Sequence, residues 1–225
     1  MKKLAMVPIP IVLCSLAAAS CGSGALVIPA KYPTEPQSLE PDSGLTVLVK
    51  GAGDARAFEA SQEWPESISS PLYFGTRPTD EDLARIVGAR YGKEVTNIHL
   101  PESQSVGSIV EDLLDVAFRQ AGYRIAEEGD EADLVVEASI QQFWLWMTPG
   151  GMTIRIEASI QAQVTVTAKD GTVTFLASGH HDYTDASTSP DSYRFALDEA
   201  LFDFYTDVST RCLDLSFKAA PAEQQ

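Results

Sequence analysis

Residues 153–168 read TIRIEASIQAQVTVTA. Ile154, Ile156, Ala158, Ile160, Ala162, Val164, Val166 and Ala168 fall on one parity; Thr153, Arg155, Glu157, Ser159, Gln161, Gln163, Thr165 and Thr167 fall on the other. A strand sends successive side chains to opposite faces, so the stretch is predicted to be a long strand with one buried and one wet face. On a helix of about 3.6 residues per turn the same apolar residues would spread around every side. Upstream, residues 134–147 read LVVEASIQQFWLWM, with Leu134, Val136, Ala138 and Ile140 on one parity. Pro149-Gly150-Gly151 between the two runs marks a turn. The pair is therefore predicted to form a long antiparallel hairpin. Downstream, Lys169-Asp170-Gly171-Thr172 places Asp-Gly between two alternating runs, a strong short-range hairpin signal. It adds a third antiparallel strand from Val173 to Tyr183.

Two helices flank this meander in the sequence. Val106, Ile109, Val110, Leu113, Leu114, Ala117, Phe118 and Ala121 form one apolar stripe. Ser105 is placed to cap it and Gly122 to stop it. Ser189-Pro190-Asp191 starts the second helix, with Ser as cap, Pro at the first position and an acid in the first turn. Its buried stripe is Tyr193, Leu197, Ala200, Leu201, Phe204, Tyr205, Val208 and Cys212. Leu45–Val49 reads as the first strand and Tyr123–Ile125 as a short one. Residues 57–100 are the least legible, broken by Pro65, Pro71 and Pro78. There Thr79-Asp80-Glu81-Asp82 caps a short helix through about Ala89, or else a structured loop. The expected fold is α+β: a two-layer sandwich, a mostly antiparallel sheet with two helices packed on one face. One domain spans 45–215, with an irregular insertion at 57–100 and a frayed tail at 216–225.

The chain has 225 residues, 44% apolar and 21% charged, which suits one globular domain with a core. Removing residues 1–20, which hold Lys2 and Lys3 and no acid, takes the formal net charge from −16 to −18. So acidic a surface argues against nucleic acid or an anionic membrane as an electrostatic partner.

Lys2 and Lys3 form a basic leader, and Leu4 to Leu16 an apolar run too short to span a bilayer. Ala17-Ala18-Ala19-Ser20 then precedes Cys21. This resembles the bacterial lipobox, in which the signal peptide (1–20) is cut before a cysteine that receives diacylglycerol and a further acyl chain such as palmitate. Gly22 differs from the Asp-type inner-membrane retention signal, which favours the inner leaflet of an outer membrane, facing the periplasm. Residues 21–44, with Pro29, Pro33, Pro36 and Pro41, are expected to be a flexible tether that reaches roughly 25–30 Å and holds the domain clear of the membrane. With Cys14 removed and Cys21 acylated, Cys212 has no intramolecular disulfide partner and reads as a packing residue.

Chemical motifs are sparse. His180 and His181 adjoin on a strand and point to opposite faces, so one metal ion cannot take both without a bulge. Gly51-Ala52-Gly53 lacks the third glycine of a dinucleotide fingerprint, Arg56 standing in its place. No P-loop and no G-x-S-x-G is present. No cofactor and no catalytic residue is assigned. Phe143-Trp144-Leu145-Trp146-Met147 is the stretch that periodicity explains least. Gln141-Gln142 is a place for a bulge that switches faces. Either the hairpin end is buried on both sides, under the helices or the insertion, or Trp144, Trp146, Met147 and Met152 form an exposed tip that docks a partner or a membrane interface.

The layout resembles bacterial envelope lipoproteins of the YajG type. The matching features are the lipobox at Cys21, the strand LTVLV leading to Asp54-Ala55-Arg56, and the helix ending in Ala121-Gly122-Tyr123. Ala132-Asp133-Leu134, the Asp170-Gly171 turn and a final amphipathic helix complete them. The resemblance implies a non-enzymatic, membrane-anchored, periplasm-facing binding or scaffold module with an envelope protein partner. Similar layouts occur in accessory lipoproteins of envelope lipid and ABC-type transport complexes. An envelope hydrolase using carboxylates or His180 and His181 is the alternative of a different class.

Overall fold

The structure, a computed structural model, describes residues 25–215 apart from 41, 62–71, 75, 91–94, 128, 151 and 187–188. In chain order the elements are β1 (Leu26–Val27), β2 (Thr46–Asp54), β3 (Glu59–Ser61), β4 (Leu72–Phe74), α1 (Asp80–Leu83), β5 (Ile86–Arg90) and β6 (Thr96–His99). There follow α2 (Val106–Gln120), β7 (Arg124–Ile125), β8 (Leu134–Pro149), β9 (Ile154–Ala168), β10 (Gly171–Asp185) and α3 (Pro190–Leu213). The expected hairpin is the spine: β8 pairs antiparallel with β9, and β9 with β10, over nearly their whole lengths.

The free edge of β8 is where the sheet departs from expectation. Along Leu134–Ile140 that edge takes β2 in parallel. Further on, at Leu145, the same edge takes β5, also in parallel. β2 and β7, and β1 and β6, are parallel pairs as well, whereas β5 and β6 run antiparallel. The fold is α+β, but the sheet is open and mixed, and the expectation of a mostly antiparallel two-layer sandwich is corrected. Parallel pairing needs a long crossover between partners, and the chain from β2 to β8 supplies one through the insertion and α2. Side-chain periodicity does not report which way a partner runs.

The apolar parity of β8 and β9 meets α2 and α3 in one core. Ser105 caps α2 by accepting from Ser108 N, and Ser108 Oγ accepts from Ser105 N in return. Ser189 caps α3 with Pro190 in its first turn, as the sequence predicted. Gly179 of β10 lets α3 sit directly on the strand: a Cβ there would stand 2.0 Å from Ala200 O.

The insertion is more regular than its prolines imply. The predicted helix to Ala89 stops after one turn, and Ile86–Arg90 is a strand. Gly88 decides this, since a Cβ at that position would lie 2.1 Å from Leu145 O. Only glycine lets β5 come that close to β8.

Between the end of β2 and the start of β5, the edge of β8 is closed by a side chain. Arg56 is 7% exposed. Its Nη1 donates to Phe143 O of β8 (3.1 Å) and Ile86 O of β5 (2.7 Å), and its Nη2 to Leu83 O (2.9 Å). Asp54 receives Nε and Nη2 at 2.8 and 2.7 Å, a two-pronged ion pair. The Phe58 ring lies 4.8 Å from the guanidinium carbon. The sequence reading of residues 51–56, which weighed Arg56 only as a break in a dinucleotide fingerprint, misses this clamp.

The segment 25–40 is not free. Ile28 (1% exposed) and Ala30 (5%) are buried. Ile28 N donates to His99 O, Lys31 N to Asp198 of α3, Tyr32 Oη to Asp112 of α2, and Glu40 N to Gln120 O. Gln104 pairs with both the N–H and the C=O of Ala30. This strap corrects the flexible-tether expectation for most of residues 21–44. Ile28, with half-buried Leu26 two residues before it, supplies the apolar burial that the prolines and polar residues after it lack, about 2 kcal/mol for Ile28 alone. Residues 1–24, with the expected lipobox, and 216–225, with the expected tail, lie outside the described residues.

Replacing Arg56 with Ala is expected to destabilise the domain by about 3–5 kcal/mol, because three carbonyls and Asp54 lose their partner at once. Lys in its place should recover only part of this, since an ammonium cannot reproduce the fork. Denaturant titration of both variants checks it; equal stability of Arg56→Ala and the parent would contradict the clamp.

Candidate functional site

The aromatic end of β8 is resolved by a bulge at the predicted place. The register of β8 against β9 shifts between Ile140 and Gln142, leaving Gln141 extra. Side chains that face the helices therefore switch from Leu134, Val136, Ala138 and Ile140 to Phe143, Leu145 and Met147. Trp144 and Trp146 turn to the other face. There Trp144 sits with Leu72, Ile86 and Ala89 in a second apolar cluster, against which Phe58, Leu83, Val95 and Trp146 pack. Phe58 meets the Trp144 ring edge-on at 6.4 Å.

Of the four tip residues singled out in the sequence, Trp144 (1% exposed) and Met147 (3%) are therefore core, and a docking role for them is corrected. Trp146 is half-buried, and Met152 is 94% exposed at the turn between β8 and β9. The insertion covers Trp144, which the sequence could not show, because nothing in residues 57–100 marks which face they return to.

A second surface feature was not anticipated. β2 carries its own bulge, the register against β8 shifting between Val49 and Gly51. The backbone N–H of Ala52 that the bulge frees is taken by Glu111 of α2 at 2.9 Å. An open cleft of about 620 Å³ lies beside it, lined by Lys50, Gly53, Glu111, Glu137, Ser139 and Gln163 among others. Lys50 Nζ donates to Glu137 at 2.8 Å, and both side chains are more than half exposed. The glycines of residues 51–53, set aside as a nucleotide motif, keep this backbone uncovered.

The histidines do not converge. His180 is exposed, while His181 points to the helix side, with its ring 5.5 Å from Phe195. Among the described residues no group of three or more His, Cys, Asp or Glu side chains could hold a metal ion. Cys212 is buried, and burial pushes its thiol pKa up, as befits a packing residue. His99 is half-buried, and burial together with Arg85 pulls its pKa below the usual 6.5. No described helix is long and apolar enough to cross a membrane.

Two outcomes are expected from these placements. Trp144→Ala should cost about 3–5 kcal/mol, whereas Met152→Ser should stay within about 0.5 kcal/mol of the parent, both read by chemical denaturation. As pH falls below 6.5, the unfolded chain protonates His99 before the folded one does. The stability contributed by a neutral His99 is therefore full above that pH and lost as pH falls towards the folded-state pKa. His99→Gln should flatten this acid limb of the denaturation midpoint against pH; an unchanged limb would contradict the shift.

A family model described as "uncharacterized lipoprotein" matches residues 79–208, from the cap of α1 to near the end of α3. No curated protein matches the chain. Among solved structures, a protein from Xanthomonas campestris is 12% identical, with 84% of this chain and 91% of that one covered and a TM-score of 0.44. A minor lipoprotein from Acinetobacter baumannii is also 12% identical, over 46% of this chain and 85% of that one, with a TM-score of 0.28. The matched residues take in β5, β6, both long helices and the whole β8–β10 meander, and the chain belongs to this uncharacterized lipoprotein family.

Proposed function

We propose that the protein is a lipid-anchored, non-catalytic binding or scaffold module of the bacterial envelope, held by acyl chains on Cys21 and facing the periplasm. One observation carries the reading: a lipoprotein family model matches the folded domain, in a chain that also bears a lipobox ending at Cys21. The two signals come from separate parts of the sequence. Acyl burial contributes about 0.8 kcal/mol per CH₂, so more than one chain gives stable anchorage. Gly22 favours the inner leaflet of an outer membrane. The layout likened above to YajG-type lipoproteins is kept as the finer kinship.

The cleft beside the β2 bulge is the surface we assign to an envelope protein partner. Its lining is polar, its acids are held by Lys50 and by the Ala52 N–H, and it is open enough for a peptide segment. Those partnerships suit a binding surface better than acid–base chemistry, which needs a free carboxylate at a reacting atom.

Cys21→Ser is expected to move the domain from the membrane to the soluble fraction; retention in the membrane would overturn the anchor. A photocrosslinking residue at Gln163, in the cleft, should give a discrete adduct in intact cells, and one at Asp203, on the exposed side of α3, should not. Equal labelling from both positions would contradict the cleft.

A further inference from the structure

We infer that the free edge of β10 joins two copies of this chain: residues 172–176 of each pair antiparallel, edge to edge, about a two-fold axis at Thr174. The inference stands apart from the lipid anchor and from the cleft.

The first ground is an edge that is long and bare. Among the described residues the outer strands of the sheet are β1, β7 and β10. β1 and β7 have two residues each, whereas β10 has fifteen and pairs with β9 without a register shift from Gly171 to Asp185. In an antiparallel ladder alternate residues turn both backbone groups to the same neighbour. Ser178 N donates to Asp207 of α3 at 2.9 Å and so points away from β9. Thr172, Thr174 and Leu176 share its parity and present their N–H and C=O groups outward as well. Among the described residues nothing accepts from those three N–H groups.

Edge strands are commonly guarded by charge, proline or a bulge. From Gly171 to His181, β10 has no Asp, Glu, Lys, Arg or Pro, in a chain that is 21% charged, and it has no bulge. Its guards are Asp207, at Ser178, and Asp182 beyond it. Both leave residues 172–176 open. α3 runs alongside in the opposite sense, with Arg211 over Phe175, Asp207 at Ser178 and Phe195 beside His181. The open segment therefore lies by the last turns of α3, and Asp203 falls beyond it.

The second ground is apolar surface. Val173 (40% exposed) and Leu176 (46%) are large apolar side chains left uncovered, and both fall in the open segment, one on each face of the sheet. A strand laid on this edge covers both. Its backbone supplies the missing partners, about six hydrogen bonds for three outward residues on each strand.

The third ground selects a second copy as the occupant. Pairing about Thr174 sets Thr172 opposite Leu176 of the second copy and Val173 opposite Phe175 of the second copy, so the open segment completes itself. It also sets Lys169 opposite Gly179 of the second copy, next to the Ser178–Asp207 contact. Lys169 has no ion-pair partner among the described residues. Asp207 holds Arg211 with one oxygen and Ser178 N with the other, and each oxygen can accept a further bond. Symmetry makes this cation-to-acid match twice. The net charge of −16 opposes self-association elsewhere on the molecule, and an uncharged strand is where two such chains meet at least cost.

The test is disulfide trapping of the full-length chain in intact cells. Thr174→Cys places a thiol on the exposed face, opposite its own copy with about 5.5 Å between Cα atoms, within disulfide reach. Mild oxidation should give an adduct of twice the chain's mass that the parent chain does not give, since Cys212 is buried. Thr184→Cys, exposed and of the same parity but beyond both guards, should give several-fold less. Adding Lys169→Glu to Thr174→Cys should also cut the yield several-fold. No adduct from Thr174→Cys, an adduct of another mass only, or equal yields from positions 174 and 184 overturns the pairing of two copies. A yield unchanged by Lys169→Glu overturns the register about Thr174.

Discussion

One edge of one strand carries two different partners, and the gap between them has to be closed. β8 takes β2 along its first half and β5 along its second. At the junction, backbone carbonyls of Leu83, Ile86 and Phe143 would face a buried space without donors. Arg56 supplies those donors from a single side chain, and Asp54 neutralises it. A buried guanidinium is tolerable only when paired and fully hydrogen-bonded, and this one is. The clamp lets the insertion leave the sheet after β2 and rejoin it as β5. It thereby determines that residues from the insertion lie over Trp144.

Two bulges set what each face of the sheet presents. At Gln141 of β8, the inward set passes from even to odd positions, which puts Phe143, Leu145 and Met147 under the helices and sends Trp144 to the other side. At Lys50 of β2, the extra residue frees the Ala52 N–H for Glu111 and opens the polar cleft. The cleft lies level with Glu137–Ser139, towards the end of the sheet away from the Met152 turn. The strap ties the N-terminal part of the described chain to both long helices.

Much of the scaffold was legible in the sequence. The alternation in residues 153–168, the Asp170-Gly171 turn, the Ser105 and Ser189 caps and both helical stripes report local backbone geometry, and each formed where the pattern placed it. The bulge at Gln141 was legible too, because a switch of apolar parity inside one strand has few other causes. The candidate site was less so. Exposure of Met152 and burial of Trp144 depend on where a distant, proline-broken segment returns. The Lys50–Glu111–Glu137 cleft joins residues from three elements whose spacing in the chain carries no period.

The sequence by itself determined the periods, the caps and the turns, because each of these is set by neighbours a few residues apart, and its composition determined the net acidity. Tertiary structure alone decided that the sheet is mixed, that Arg56 is a buried clamp, and that Ala25–Glu40 is a strap and not a free tether. Those outcomes depend on which distant groups satisfy a buried carbonyl or cover an apolar side chain. Ile28 illustrates the difference: in the chain it belongs to a short apolar run ahead of four prolines, and in the fold it closes the core beside β6.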